Sequence, residues 1–295
     1  MKELTTDLKS LHEATLNNLK NSKANNTLRA YKSDFKDFGA FCASHGLNSL
    51  PSEPKIISLY ITHLSKNSKI STLKRRLVSI SMVHKLKGHY LDTKHPIIVE
   101  NLMGIKRVKG SIQKGKKPIL INHLKSIIDV IDDQKIKDIK KLRDKTIILL
   151  GFGGGFRRTE LISIDYEDLE FVKEGLKIII RRSKTDQFGE GMIKGLPYFN
   201  NEKYCPVKAL KNYMTYKFAK SNKGKIFDIS DKSVALIIKK YAEKAGLDSA
   251  KYAGHSLRSG FATSAAEFGA EERNIMAMTG HKTTQMVRRY IQEAN

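Results

Sequence analysis

A basic segment of ten residues constrains most strongly how this chain can fold. Residues 109–118 contain four lysines, two glycines and one proline. A composition of this kind is typical of an exposed connection between domains. Because the chain has 295 residues, more than a single domain usually contains, the segment predicts a first domain over residues 1–108 and a second over residues 119–295.

The first domain is predicted to be a helical bundle. Apolar residues recur at three- and four-residue steps from about Asn26, and similar patterns begin near Pro54, Ser71 and His95. A proline is well placed in the first turn of a helix, which supports the second of these starts. We therefore expect four helices before the basic segment.

The second domain combines helices with one β signal. Helical patterns cover residues 121–132, 139–151 and 158–164, and they dominate again towards the end of the chain. Between them, residues 176–182 and 192–197 flank a turn-prone segment, which predicts a hairpin. The predicted fold class is mainly α: an N-terminal helical bundle plus a mostly helical C-terminal domain with a small antiparallel sheet.

A strong excess of positive charge indicates a polyanionic partner. The chain has 54 lysines and arginines against 30 aspartates and glutamates, a net charge of +24. Residues 66–117 carry fourteen basic and two acidic side chains, a net charge of +12. The same stretch is rich in apolar residues, which favours folded helices with one cationic face. The residues predicted to contact nucleic acid are Lys74, Arg75, Arg76, Lys85, Lys87, Lys106, Arg107 and Lys116.

Cysteine content and hydropathy indicate the cellular compartment of the protein. Cys42 and Cys205 are the two cysteines, they lie far apart, and neither belongs to a metal-binding motif. The pattern favours a reducing interior. The first twenty residues are polar and of mixed charge, and no apolar run approaches the length of a membrane span. We expect a cytoplasmic protein with no membrane association.

A glycine-rich turn carries the first candidate functional residues. Residues 151–161 combine four glycines with Arg157, Arg158 and Glu160. The Gly-Lys-Ser/Thr ending of a phosphate-binding P-loop is absent, so the glycines indicate a helix that ends, turns and restarts. Glu160 follows Arg157 by three residues, a spacing at which the carboxylate is able to orient the guanidinium.

Further candidates lie in the predicted hairpin and near the end of the chain. Lys184 stands in the hairpin turn as a candidate proton donor. His255 and Arg258 lie three residues apart, His281 follows a glycine, and Tyr290 lies nine residues after His281. Together they supply cations for a phosphate and a nucleophile, which is what attack on a phosphodiester without a metal requires.

The order and spacing of these residues resemble the tyrosine recombinase, or phage integrase, family, in particular its Cre-like and Xer-like members. The resemblance spans nearly the whole chain. It implies an N-terminal SAM-like core-binding domain, a basic linker and a catalytic domain. It also implies a site-specific DNA recombinase that forms a covalent 3′-phosphotyrosine and needs no metal, cofactor or ATP. The motifs are Arg157-Arg158-Thr159-Glu160-Leu161, Lys184, His255-Ser256-Leu257-Arg258, Gly280-His281 and Tyr290.

The resemblance implies a division of roles among the cationic and acidic residues. Arg157 and Arg258 would hold the non-bridging oxygens of the scissile phosphate, because planar guanidinium groups match phosphate geometry. Their charge would stabilise the transition state. Glu160 would orient the Arg157 guanidinium without contacting the phosphate itself.

It also implies roles in covalent chemistry and proton transfer. Tyr290 would attack phosphorus, and Lys184 would protonate the leaving 5′ oxygen. His255 and His281 would hydrogen-bond the phosphate and assist proton movement around the tyrosine.

The implied partners are a double-stranded DNA recombination site and further copies of the chain, as a tetramer on DNA. Residues 291–295 alone follow Tyr290, whereas relatives continue with a helix that docks on the neighbouring protomer. Two other functions use the same features: DNA relaxation of the type IB topoisomerase kind, and DNA binding by a non-catalytic regulator.

Overall fold

The structure is a computed structural model that describes residues 6–21, 23–110, 115–135, 138–183, 186, 191–217, 223–281, 283–285, 287–288 and 290. The chain divides into two compact units, Met1–Gln113 and Lys114–Asn295. No helix in the described ranges is both long and apolar enough to cross a bilayer.

Helices are the regular secondary structure in the described part of the first unit. Its core is formed mainly by apolar side chains of the second to fifth helices, including Phe38, Tyr60, Leu73 and Ile98, which are all fully buried. The four predicted helices are present, and a further polar helix precedes them. The bounds are α1 Thr6–Asn21, α2 Asn25–Ser44, α3 Pro54–Ser65, α4 Ile70–Leu86 and α5 Pro96–Lys109.

A buried carboxylate joins α2 to α4. Asp34 is 2% exposed and accepts hydrogen bonds from Ser79 Oγ at 2.7 Å and from the Arg75 guanidinium. Arg76 lies between two carboxylates, with Nε 3.2 Å from Asp34 Oδ1 and Nη1 3.0 Å from Asp37 Oδ2. Two of the arginines predicted to contact nucleic acid therefore pair with carboxylates of the bundle, although Arg75 remains 46% exposed.

The second unit is mostly helical and contains a small antiparallel sheet, as predicted. Strand order is β1-β2-β3, and Ile178 of the second strand pairs with Lys194 of the third. The first strand is short and was not expected from the sequence. The strands are β1 Leu169–Val172, β2 Gly175–Ile180 and β3 Met192–Pro197. The helices are α6 Ile121–Asp132, α7 Asp138–Gly153, α8 Arg158–Ser163, α9 Pro206–Lys217, α10 Asp231–Lys244, α11 Ser256–Glu267 and α12 Glu272–Thr279.

The glycine-rich segment forms the turn between α7 and α8. Gly155 has φ +55°, a left-handed conformation that glycine adopts without strain. A Cβ at this position would lie 2.9 Å from the ring of Phe261 on α11, so the turn packs closely against that helix. Gly260 allows α11 a similar approach, since its Cβ would lie 2.0 Å from the carbonyl oxygen of Ile119. Close packing at these two glycines places α11 against the turn and against the segment that precedes α6.

Candidate active site

Three segments of the second unit converge on one site. The turn before α8 carries Arg157, the first turn of α11 carries Arg258, and the end of α12 leads to His281. The described residues around Tyr290, numbers 284, 285, 287, 288 and 290, are helical. Residues far apart in the chain therefore meet at a single cluster of side chains.

Arg258 is a fully enclosed cation of the cluster. Its side chain is 1% exposed, although arginine is rarely buried unless paired. Nη1 donates to the carbonyl oxygen of Gly155 at 2.9 Å, and Nη2 donates to Nε2 of His281 at 3.0 Å. Burial, with the nearby Arg157 charge, lowers the pKa of Arg258 to about 10, so the guanidinium stays charged at neutral pH.

Arg157 is held by the carboxylate of Glu160, the partner that the sequence spacing predicted. Glu160 is 1% exposed, and its Oε1 lies 2.5 Å from Arg157 Nη1. The other carboxylate oxygen accepts from the Arg157 backbone N–H at 2.9 Å, which satisfies a free donor at the start of α8. Arg157 Nη2 donates to the carbonyl oxygen of Gly280 at 3.3 Å. The guanidinium is thereby directed towards the segment that carries His281.

Hydrogen bonds determine the tautomer of His281. Thr279 Oγ1 donates to the carbonyl oxygen of Ile275 at 2.5 Å and lies 2.7 Å from His281 Nδ1. A hydroxyl has one proton, so Thr279 accepts from Nδ1–H and leaves Nε2 to accept from Arg258. Burial and the charges of Arg258 and Arg157 lower the pKa of His281 to about 4. His281 is therefore a neutral acceptor that orients Arg258, and Thr279 is a supporting residue that sequence reasoning missed.

Tyr290 and His255 form a hydrogen-bonded pair. Nε2 of His255 lies 3.1 Å from the Tyr290 hydroxyl oxygen, and Tyr290 is 9% exposed. The His281 ring packs beside the tyrosine, with centroids 5.7 Å apart. Partial desolvation, followed by the charges of Arg258, Arg157 and Arg158, lowers the pKa of His255. A neutral imidazole at hydrogen-bond distance is suited to remove the phenolic proton.

Lys194 is a second residue that sequence reasoning missed. Its side chain is 1% exposed, and Nζ donates to the carbonyl oxygens of Gly154 at 2.7 Å and Met278 at 2.5 Å. The alternation of β3 carries a usable signal, because Lys194 faces the same side of the strand as the buried Leu196. A lysine on the inward face of a predicted strand is unusual enough to mark a site.

The remaining predicted residues are distributed over both units. Lys184 lies outside the described residues. Lys116 is exposed in the second unit, where its ammonium donates to the carbonyl oxygen of Ala250. The exposed members of the predicted nucleic-acid set in the first unit are Lys74, Arg75, Lys85, Lys87, Lys106 and Arg107.

The cluster carries more positive than negative charge. Arg157, Arg258 and Lys194 are basic, whereas Glu160 is the only carboxylate among the described residues that contacts any of them. Buried charges are normally paired, so this excess favours an anionic ligand. The described ranges contain no group of three or more His, Cys, Asp or Glu side chains arranged to hold a metal ion.

Comparison with known proteins places the chain in a class of enzymes. Residues 119–295 match the Phage integrase family. The integrase/recombinase xerD homolog of Selenomonas ruminantium is 42% identical over 292 residues, which cover 94% of this chain and 84% of that protein. The chain belongs to the phage integrase family. Its activity is that of a tyrosine-type site-specific recombinase, and the alternatives of relaxation and regulation are not favoured.

Solved structures share the fold at low identity. A XerH site-specific recombinase bound to palindromic difH substrate has a TM-score of 0.64 at 14% identity, covering 83% of this chain and 70% of that chain. The Tn1549 transposon integrase in complex with transposon right end DNA has a TM-score of 0.62 at 16% identity, covering 95% and 93%. These matches extend the fold assignment to most of the chain.

Proposed function

We propose that this protein cleaves and rejoins double-stranded DNA at a specific site, with Tyr290 as the nucleophile. Residues 1–108 form a core-binding domain, residues 109–118 a linker, and residues 119–295 the catalytic domain. The relatives are named recombinases and integrases, and two structural neighbours are complexes with DNA. The excess of positive charge supports a polyanionic substrate.

The chemical step is a transfer of phosphorus from one oxygen to another. The Tyr290 hydroxyl oxygen attacks the phosphorus atom while its proton passes to Nε2 of His255. The bond between phosphorus and the 5′ oxygen breaks, and that oxygen leaves as a hydroxyl after taking a proton from Lys184. The product is a 3′-phosphotyrosyl bond that conserves the bond energy, so a new 5′-hydroxyl is able to reverse the step without ATP.

Arg157 and Arg258 stabilise the charge that develops on the phosphate. Glu160 holds the first guanidinium, while His281 and the Gly155 carbonyl hold the second. Donors fixed before the reaction require no reorganisation when charge develops, which is a large contribution to catalysis. His281 acts in this scheme as an orienting acceptor, because Arg258 occupies its Nε2.

The observation that carries this proposal is the pairing of His255 Nε2 with the Tyr290 hydroxyl at 3.1 Å beside a cluster in which cations outnumber carboxylates. A base, a nucleophile and phosphate-binding groups lie together. A phenol that served packing alone would need none of the three.

A covalent trap tests the proposal. Bound sequences are first selected from a randomised duplex library, and the selected duplex is then prepared with a nick beside each position in turn. Release of the short fragment prevents religation, so an active enzyme accumulates a protein–DNA adduct that survives denaturing electrophoresis. We expect the adduct with the native chain and none with Tyr290→Phe.

Tyr216→Phe is the matched control, because it removes the same hydroxyl from a tyrosine that is 59% exposed on α9. It should form the adduct at the native rate. An adduct with Tyr290→Phe, or its absence from the native chain on every selected duplex, would contradict the assignment of the nucleophile.

Assembly on DNA is the second part of the proposal. Exchange of strands between two sites requires several active centres, so we propose that copies of this chain form a homo-oligomer on DNA, a tetramer when two sites are joined. Light scattering of the complex with one and with two selected duplexes tests this. A mass of one chain per duplex at saturation in both samples would contradict it.

A further inference from the structure

Lys194 is a buried cation that no step of the proposed reaction uses. Nζ donates to Gly154 O at 2.7 Å and to Met278 O at 2.5 Å, and it lies 3.5 Å from Gly155 O. The Phe156 ring covers it, with Nζ 4.5 Å from the centroid. Two of the carbonyls belong to the turn before Arg157, and the third belongs to the end of α12.

We propose that Lys194 is a positioning residue that ties these two segments together and so sets how Arg157, Arg258 and His281 are arranged around the scissile phosphate. The inference rests on the proposed function of this site. It assigns to the third strand of the sheet a part in catalysis that its sequence position does not suggest.

The geometry explains why a lysine stands here. Its long stem crosses from β3 to the two segments, and an ammonium has three donors for carbonyl oxygens on different sides. An apolar side chain of similar length would fill the space but would leave those carbonyls without the donor. Polar groups in such surroundings cost free energy, so the lysine is unfavourable as mere packing.

Lys194 is also coupled directly to Arg258. The carbonyl oxygen of Gly155 accepts from Arg258 Nη1 at 2.9 Å and lies 3.5 Å from Lys194 Nζ. A displacement of that carbonyl therefore moves the acceptor that orients the buried guanidinium. Arg157 makes a second tie between the same segments through Gly280 O, but its side chain is 17% exposed, whereas Lys194 is 1% exposed.

The charge of Lys194 responds to an anion in the site. Burial, with Arg258 and Arg157, lowers the pKa of Lys194 to about 7, against the raising effect of Glu160. The neutral ring of His281 is affected in turn by the lysine charge. A bound phosphate would favour the ammonium form, and linkage requires that the ammonium form favour the phosphate to the same degree.

The test separates DNA binding from cleavage. Lys194→Met removes the donors and the charge but keeps an unbranched side chain. We expect its dissociation constant for the selected duplex to rise by no more than about threefold, because the exposed basic residues proposed to supply most of the affinity are unchanged and outweigh the one phosphate that Lys194 favours. We expect the single-turnover rate of adduct formation on the nicked duplex to fall by about 100-fold, the scale of losing preorganisation at the reacting group.

Lys177→Met is the matched control. Lys177 lies on β2 of the same sheet, is 47% exposed and pairs with Glu170 at 3.1 Å, so the substitution makes the same change of charge at the surface. Its rate should stay within about threefold of the native rate. Lys194→Arg keeps the charge and the donors, and it should be at least about tenfold faster than Lys194→Met, which a purely steric role would not produce.

The outcomes are distinguishable. If Lys194→Met cleaves as fast as Lys177→Met, Lys194 is a packing residue. The same conclusion follows if Lys194→Arg and Lys194→Met are equally slow and equally destabilised. Should Lys194→Met fail to unfold cooperatively, Lys194→Gln replaces it under the same criteria, since its amide retains a donor. If the native chain itself forms no adduct, or Tyr290→Phe forms one, the proposed function fails and not this inference alone.

Discussion

Two clusters of charged side chains, one in each unit, differ in the balance of positive and negative charge. In the first unit, Arg75 and Arg76 lie against Asp34 and Asp37, so each guanidinium contacts a carboxylate. In the second unit, three buried or half-buried cations are accompanied by the single carboxylate of Glu160 among the described residues. The charges of the first arrangement balance one another, whereas we propose that an anion completes the second. Arginine count alone would not have separated a structural network from a phosphate site.

The largest expected effect comes from changing the buried arginine of the second cluster. Arg258→Lys keeps the charge but loses the planar group that reaches Gly155 O and His281 together and that would contact the phosphate in the proposed reaction. We expect the rate of adduct formation to fall by about 100- to 1,000-fold with DNA affinity nearly unchanged. Single-turnover cleavage with a parallel binding titration measures both.

Arg273→Lys supplies the control, since Arg273 is 83% exposed on α12 and pairs with Glu271. Its cleavage rate should match the native rate. Equal losses in the two variants would mean that the planar guanidinium of Arg258 has no specific role in cleavage.

The first cluster should respond in stability. Asp34→Asn removes the carboxylate that Arg75 and Arg76 share, and we expect the free energy of unfolding to fall by about 2–3 kcal/mol. Asp37→Asn should cost less than about 1 kcal/mol, because Asp37 is 47% exposed and solvent screens its ion pair. Urea denaturation compares the three proteins. Similar losses for both variants would show that burial does not distinguish the two carboxylates.

The pH dependence of stability should reveal the neutral histidine. The pKa of His281 is about 4 in the folded protein, below its ordinary value of 6.5. The contribution of the neutral His281 ring to the free energy of unfolding is fully present above pH 6.5, because neither the folded nor the unfolded chain then binds the proton. This contribution is lost as the pH falls towards 4, because the unfolded chain binds the proton first. We expect a loss of about 2 kcal/mol between pH 7 and pH 5 that His281→Asn does not show. Parallel slopes for the two proteins would contradict a buried neutral ring.

The smallest effect concerns the salt dependence of DNA binding. Lys106 is exposed on α5, and Lys106→Gln should lower the slope of log affinity against log salt by about one unit. Arg76→Gln should leave the slope unchanged, because Arg76 is engaged by Asp34 and Asp37. Binding titrations at several salt concentrations decide this. A lower slope for Arg76→Gln would mean that the first cluster opens to meet DNA.

Much of the fold follows from local patterns. The hairpin, the helix after the glycine turn and the four main helices of the first unit each carry their own periodicity or turn signal, and all are present. A helix and a strand that were not predicted have weak local signals: α1 is largely polar, and β1 spans four residues, Leu169–Val172, with its two central side chains exposed.

The residues of the site also divide into those that local spacing predicts and those that it does not. Arg157 and Glu160 are neighbours in sequence, so their contact was predictable from helical spacing. The contacts of Thr279 and Lys194 were not predictable, since sequence spacing does not encode them, although the alternation of β3 does place Lys194 on the inward face of its strand. Lys194 is 84 residues from Met278, whose carbonyl oxygen it contacts.

The sequence by itself determined the family, the mainly helical fold with its small sheet, and which side chains have the chemistry to bind a phosphate or react with it. These follow from local order and spacing along the chain. Only the tertiary structure decided which arginines are neutralised by carboxylates, which histidine accepts from Arg258 and which pairs with Tyr290. Hydrogen bonds and buried charges depend on distance in space, and packing alone brings segments more than a hundred residues apart, such as Gly155 and Arg258, within 2.9 Å.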